Sequence, residues 1–267
     1  MPKLETRGID LAWESFGVLS GPTTVFVHET ATSGGAWRPL AERIAKRGSR
    51  AVVYDRRGWG NSSAPTDYLR TTVEEQSEDL AELVAMLGTP VAVCGGGLGG
   101  LICLDLLLRH PELAQRGLLL EPLVPGLVPA ATEALSEDRE SLREAVQDRG
   151  PAGMLELYLG GRLLALGPGV ERIPAEMSEP ARERPGSLAA ALGAAGSWSY
   201  PLHRLAEAQQ PISVVTCSDT PALLREAADA LADRLAASSR ADASHPGPVH
   251  LRAPGAVVEL LSAGAPK

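Results

Sequence analysis

The stretch PVAVCGGGLGGLICLDLLLR, residues 90–109, constrains this chain more than any other. Val91–Cys94 is a short apolar run of the kind a sheet buries on both faces. Glycines follow at 95, 96 and 97, and Leu101, Leu104, Leu107 and Leu108 then recur at helical spacing. The reading is a buried strand, a tight glycine turn and a helix.

Three readings of that turn compete. Gly95, Gly97 and Gly100 spell the G-x-G-x-x-G of a dinucleotide site, with Glu112 or Glu121 as the later acid. That motif belongs at the start of a βαβ unit, whereas residues 1–90 precede it here and already alternate strand with helix. The second reading is the G-x-S-x-G nucleophile elbow, a strand–turn–helix in which Gly97 stands at the serine position. The third is a plain structural turn, which is compatible with the second.

A chain of 267 residues suits one α/β domain with an insertion. Its formal charge is −8 and its pI about 5.2, with both signs interspersed, which argues against nucleic-acid and anionic-membrane partners. No apolar run approaches the ~18 residues of a membrane span, and MPKLETRGID has no signal-peptide core. Cys94, Cys103 and Cys217 fall in or beside core elements, as reduced thiols of a cytoplasmic protein do, rather than in a disulfide or metal pattern. Aromatics are scarce and Ala, Gly, Leu, Arg and Pro abundant, as in proteins of GC-rich bacteria.

Along the chain, strands are predicted at 4–6, 9–16, 24–28, 51–54, 91–94, 117–121 and 211–216, with a short polar one near 238–243. Helices are predicted at 36–47, 72–87, 98–109, 223–235 and 254–261. This alternation predicts a mainly parallel, doubly wound α/β sheet. Between 123 and 205 the strand signal disappears, and 132–147, 153–166, 170–182 and 188–192 read as helices broken by Gly and Pro. The expected division is a core of residues 1–122 and 206–267 with a helical cap at 123–205.

In this order the segments VFVHE, YDRRGWGNSSAP, VCGGGLGGLICLDLLLRHPE, GLLLEP and PISVVTCSDT resemble the α/β-hydrolase fold over nearly the whole chain. The resemblance implies a Ser–His–acid site, and the residues depart from it. Gly97 carries no hydroxyl, so no acyl-enzyme can form there. Cys94 lies on the strand and should be buried. Asp219 matches the acid position, or else caps the helix after Pro221. Counting back from Pro254 puts the histidine position on Gly247; a small insertion brings His245 there instead, with His250 a further candidate. Because the changes at Glu29, Gly97, the TCSD turn and the histidine region occur together, natural divergence explains them better than one inactivating substitution.

What the resemblance still implies is an oxyanion hole from the N–H groups of Thr30 and Leu98, which can hold an enolate as well as a tetrahedral oxyanion. His245 held by Asp219, or Glu29, could act as general base. His28, Trp37, Trp59, Trp198, Tyr200, His203 and His250 are candidate substrate contacts, with the aromatics suggesting a flat ligand. The expected function is a non-hydrolytic enzyme, needing neither cofactor nor metal, that guides cyclisation, C–C bond formation or a lyase step on a small natural-product intermediate. The resemblance is to biosynthetic, antibiotic-type members of the fold. Its partner is a small molecule, with a homodimer possible and no nucleic acid or membrane. The alternatives are a receptor-like binding protein and an esterase carrying a Ser-to-Gly change.

Overall fold

The computed structural model describes every residue except 67, 89, 168 and 264–267. Its strands are β1 (Lys3–Thr6), β2 (Ile9–Gly17), β3 (Thr23–Val27), β4 (Arg50–Tyr54), β5 (Val91–Gly96), β6 (Ala114–Leu120), β7 (Ile212–Thr216) and β8 (Ser238–Asp242). They form one sheet in the order β1-β2-β4-β3-β5-β6-β7-β8. β2 runs antiparallel to β1 and β4, and every later pairing is parallel. The helices are α1 (Arg38–Ala45), α2 (Val73–Leu87), α3 (Leu98–Arg109), α4 (Pro129–Leu159), α5 (Glu179–Glu183), α6 (Pro185–Gly196), α7 (Ala222–Arg234), α8 (Val249–Arg252) and α9 (Pro254–Ala263). The sheet is the doubly wound α/β architecture that the alternating pattern predicts.

Apolar side chains cover both faces. Trp37, Leu40 and Ile44 of the α1 segment pack with Val257, Val258 and Leu261 of α9 against Phe26, Val53 and Cys94. Leu80, Leu83 and Val84 of α2 pack with Leu101, Ile102 and Leu104 of α3 on the other side. Thr72 starts α2 by accepting the Glu75 N–H at 3.0 Å, with Glu74 and Glu75 in the positive first turn. β8 forms although it is polar, because it is an edge strand paired only to β7.

The turn after β4 is built by Asp55, whose carboxylate accepts the N–H groups of Gly34 and Asn61, both at 2.8 Å. Arg56, buried beside it, donates to the Glu29 carbonyl at 3.1 Å and so fixes the loop after β3. Gly99 is required by close approach: a Cβ there would lie 2.2 Å from the Val27 carbonyl oxygen. The glycine run thus lets α3 start against the end of β3.

The insert between β6 and β7 departs from the expected helices in two places. The runs at 132–147 and 153–159 join into α4, broken at Gly150 (φ 63°, ψ −156°) before Pro151. The predicted helices at 153–166 and 170–182 are cut short: α4 ends at Leu159, and the span from 170 holds two short 3-10 turns, Val170–Arg172 and Ala175–Ser178, before α5. Asp138 explains the first cut, because its carboxylate accepts the N–H groups of Leu164, Ala165 and Leu166 at 2.7, 2.7 and 2.8 Å. Those donors are held by a side chain rather than by a continuing helix.

Candidate active site

At the carboxyl ends of β3, β5 and β6, a cavity of about 570 Å³ of empty space, mouth included, lies beneath the insert. Open α/β sheets bind ligands at this end. Glu29, Thr30, Gly97, Leu98, Glu121, Tyr158, Arg172 and His250 supply its polar and glycine surface, and Leu120, Leu123, Val170, Ile173, Leu224 and Val249 its apolar wall.

Gly97 has φ 52° and ψ −119°, the backbone of a sharp strand-to-helix turn that glycine adopts without strain. Its N–H goes to the Leu120 carbonyl at 3.0 Å, and its carbonyl accepts from Leu101 and Leu123. Leu98 opens α3, so its N–H has no helical partner. No acceptor among the described residues takes the N–H of Leu98 or Thr30. A side chain at 97 would point at Glu29, whose Cβ lies 3.4 Å and Oε2 3.9 Å from the position a Cβ would occupy.

Glu29 and His250 form a pair over this turn. Glu29 is only 14% exposed and His250 2%. Glu29 Oε1 and His250 Nε2 are 3.2 Å apart, in an alignment that leaves both without a hydrogen bond. The imidazole is fixed by stacking: Trp37 lies on it with ring centres 4.0 Å apart, and Phe26 backs Trp37 at 5.2 Å. Trp37 is therefore the platform for His250, fully buried and outside the cavity lining.

The expected His245–Asp219 pairing is not what forms. His245 is exposed and outside the cavity, and its carbonyl accepts from Ser218 N–H at 3.0 Å. Asp219 instead accepts the Gly247 N–H at 2.7 Å and Arg172 Nη1 at 2.9 Å. The ungapped count from Pro254 has its structural counterpart here, since Gly247 is the residue that faces Asp219. A Cβ on Gly247 would fall 2.0 Å from Arg172 Nη1 and 2.8 Å from Glu121 Oε2. A guanidinium from the insert thus fills the space in front of Asp219 and bridges it to Glu121 at 2.7 Å. Thr220 donates its hydroxyl to the same Glu121. Burial opposes ionisation of Asp219, but the Gly247 N–H and then Arg172 outweigh it and hold the carboxyl below the usual range.

The other expected contacts lie elsewhere. His28 is buried and spent on the backbone: Nδ1 donates to the Glu29 carbonyl at 2.8 Å and Nε2 accepts the Arg56 N–H at 3.0 Å. Burial, then the Arg56 charge, holds its imidazole well below the usual value, so it is neutral. Trp59 packs edge-on against His28, under Arg56, outside the cavity. Trp198 donates to Asp105 at 2.8 Å and stacks on Tyr200, which lies between Arg109 and Arg204; neither aromatic lines the Gly97 cavity. His203 is exposed. The Cys94 thiol is buried and pushed up by desolvation, so no thiolate is available there.

Tyr158 and Arg172 were not legible as site residues, and Glu121 was singled out only as the acid of a dinucleotide site, not for this cavity. Tyr158 reaches the cavity from α4, and burial, then the Glu29 charge, pushes its hydroxyl up, so it stays protonated. Glu121 carried one local signal, the strand end after GLLL, where it adopts φ 46°. Among the described residues no group of three His, Cys, Asp or Glu side chains is placed to hold a metal ion, and no helix is long and apolar enough to cross a membrane.

This sheet order, with a sharp strand-to-helix turn facing a cavity under a helical insert, defines the α/β-hydrolase architecture. The chain belongs to the alpha/beta hydrolase family, whose model matches residues 24–260. It is 31% identical over 120 residues to bifunctional epoxide hydrolase 2 of Rattus norvegicus, covering 44% of this chain and 21% of that protein. It spans less than half the length of the curated relatives it matches. Among solved structures, Est816, described as an N-acyl homoserine lactone degrading enzyme, superposes with a TM-score of 0.76 at 21% identity, over 99% of this chain and 100% of that one. The enol-lactonase of Burkholderia xenovorans LB400 superposes at 0.74 and 20%, over 98% and 100%.

Two expectations follow. Stability should fall as pH drops below about 6.5, because the unfolded state then binds a proton at His28 that the folded state refuses. Melting temperatures across pH 5 to 8 check this, and His28→Asn should flatten the profile. Gly97→Ser should fit the space and cost about 1 kcal/mol for its positive φ, yet leave esterase turnover at background. The new hydroxyl would meet Glu29, while Arg172 occupies the place of a histidine at 247. p-Nitrophenyl acetate hydrolysis checks it.

Proposed function

We propose that this protein is an enzyme without a covalent nucleophile that moves protons on a small carbonyl compound. The observation that carries this is the Glu29–His250 pair, sequestered over Gly97 in a cavity also lined by Thr30 and Leu98, whose N–H groups are unengaged among the described residues. A carboxylate beside an imidazole is a general acid/base pair. Two preorganised donors at a helix start stabilise the oxyanion that forms when a proton leaves the carbon next to a carbonyl. That enolate is the common first intermediate of cyclisation, C–C bond formation and lyase reactions. The wall is aliphatic, and the aromatics that suggested a flat ligand lie elsewhere, so the substrate read from this cavity is small and aliphatic.

The test is proton exchange. With methyl isobutyl ketone in heavy water, the protein should incorporate deuterium next to the carbonyl faster than buffer, followed by NMR; exchange at the buffer rate overturns the proposal. A second reading is supported by Glu29 Oε2 lying 3.9 Å from the Cβ position of residue 97, and by the lactone-degrading activities for which Est816 and the enol-lactonase, two proteins of the same fold, are named. There Glu29 would activate water on a lactone. Ring opening of simple lactones without ketone exchange would favour it.

A further inference from the structure

Among the described residues, Glu29 Oε1 and both ring nitrogens of His250 are buried without a hydrogen-bond partner, although His250 is almost entirely enclosed. Leaving such atoms unpaired costs roughly 1–3 kcal/mol each. A C–H group approaching Glu29 would satisfy neither residue. A hydroxyl would satisfy Glu29 Oε1 and His250 Nε2 together, donating to the carboxylate and accepting from the Nε2–H tautomer of the ring, since the two atoms lie 3.2 Å apart and both residues line the same cavity. The Thr30 and Leu98 N–H groups are meanwhile suited to a carbonyl oxygen.

We infer that the substrate class is a hydroxy-carbonyl compound whose hydroxyl is held between Glu29 and His250 while its carbonyl oxygen rests on the Thr30 and Leu98 N–H groups. This rests on the proposed proton-transfer function and deepens it. For a β-hydroxy ketone the arrangement performs a retro-aldol step. Glu29 takes the hydroxyl proton, and the O–H electron pair becomes the second bond of a new carbonyl. The bond between carbinol carbon and α-carbon breaks, and its electron pair becomes the enolate held by the two N–H groups. The proton on Glu29 then returns to the α-carbon. Two carbonyl compounds leave, nothing is oxidised or reduced, and no co-reactant is consumed; the reverse direction forms the C–C bond.

The test uses a matched pair, diacetone alcohol and methyl isobutyl ketone, which differ by the hydroxyl. Isothermal titration of the unmodified protein should show the hydroxy ketone binding about tenfold tighter, the effect of satisfying one or two buried groups. Glu29→Gln and His250→Phe should each erase most of that preference. Acetone should form from diacetone alcohol above the buffer rate. Equal affinity for the pair overturns the inference, and if deuterium exchange persists in that case the proton-transfer function stands without it. Tight, hydroxyl-dependent binding with no acetone formed overturns the retro-aldol step.

Discussion

On the proposed function, Glu29→Gln should lower the rate of ketone proton exchange by about 10²–10⁴-fold, the usual contribution of a positioned acid/base group. The amide is the same shape but takes no proton at neutral pH. The fold should lose nothing, because the Glu29 carboxylate is only 14% exposed and Oε1 has no hydrogen-bond partner. Replacing a partly buried carboxylate whose Oε1 makes no hydrogen bond among the described residues leaves stability unchanged or slightly raised, the trade expected where a site holds strain for chemistry. Exchange followed by NMR, with thermal melting on the same samples, separates the two effects. A rate loss accompanied by a large fall in melting temperature would show instead that Glu29 is structural.

Arg172→Ala should cost about 3 kcal/mol, at the low end for breaking a buried ion pair. The guanidinium is 12% exposed and joins Glu121, 10% exposed, to Asp219, 42% exposed. The Glu121 half carries most of the loss, since solvent screens Asp219. For a chain of this size that is a fall of roughly 6 °C in melting temperature. The sign with pH follows from Asp219. Its folded pKa is depressed, so its contribution is complete above the unfolded value near 4 and is lost as pH falls through the lower folded value. The gap between wild type and variant therefore narrows below about pH 4. Arg172→Lys should recover only part of the loss, because an ammonium cannot bridge two carboxylates with fixed geometry. Differential scanning calorimetry at pH 3 and pH 7 checks both the size and the trend.

The Gly95–Gly100 run was readable from sequence because its cause is local: strand, positive φ and helix follow one another within a few residues, and Gly97 and Gly99 each answer a backbone demand. The Asp55 turn was readable for the same reason. The histidine region was not. The ungapped count reached Gly247, but nothing nearby in sequence says that a guanidinium from residue 172 fills the space beside it. His250 gained its place through Trp37, more than two hundred residues earlier. Trp198 and Tyr200 misled because rarity in composition says nothing about which surface an aromatic meets; here Trp198 meets Asp105, and Tyr200 meets Arg109 and Arg204. Helical periodicity in the insert overran its ends because Asp138 offered the backbone N–H groups of 164–166 a different acceptor.

On the proposed function, no group at this site forms a covalent acyl intermediate and the chemistry runs through Glu29 and His250. Intact-mass spectrometry of the unmodified protein mixed rapidly with p-nitrophenyl acetate tests it most directly. The predicted result is an unchanged protein mass and nitrophenol release with no burst, because residue 97 has no side chain and the Cys94 thiol is buried and protonated. An acetyl adduct forming stoichiometrically in a burst, mapped to a residue lining the Gly97 cavity, would contradict it.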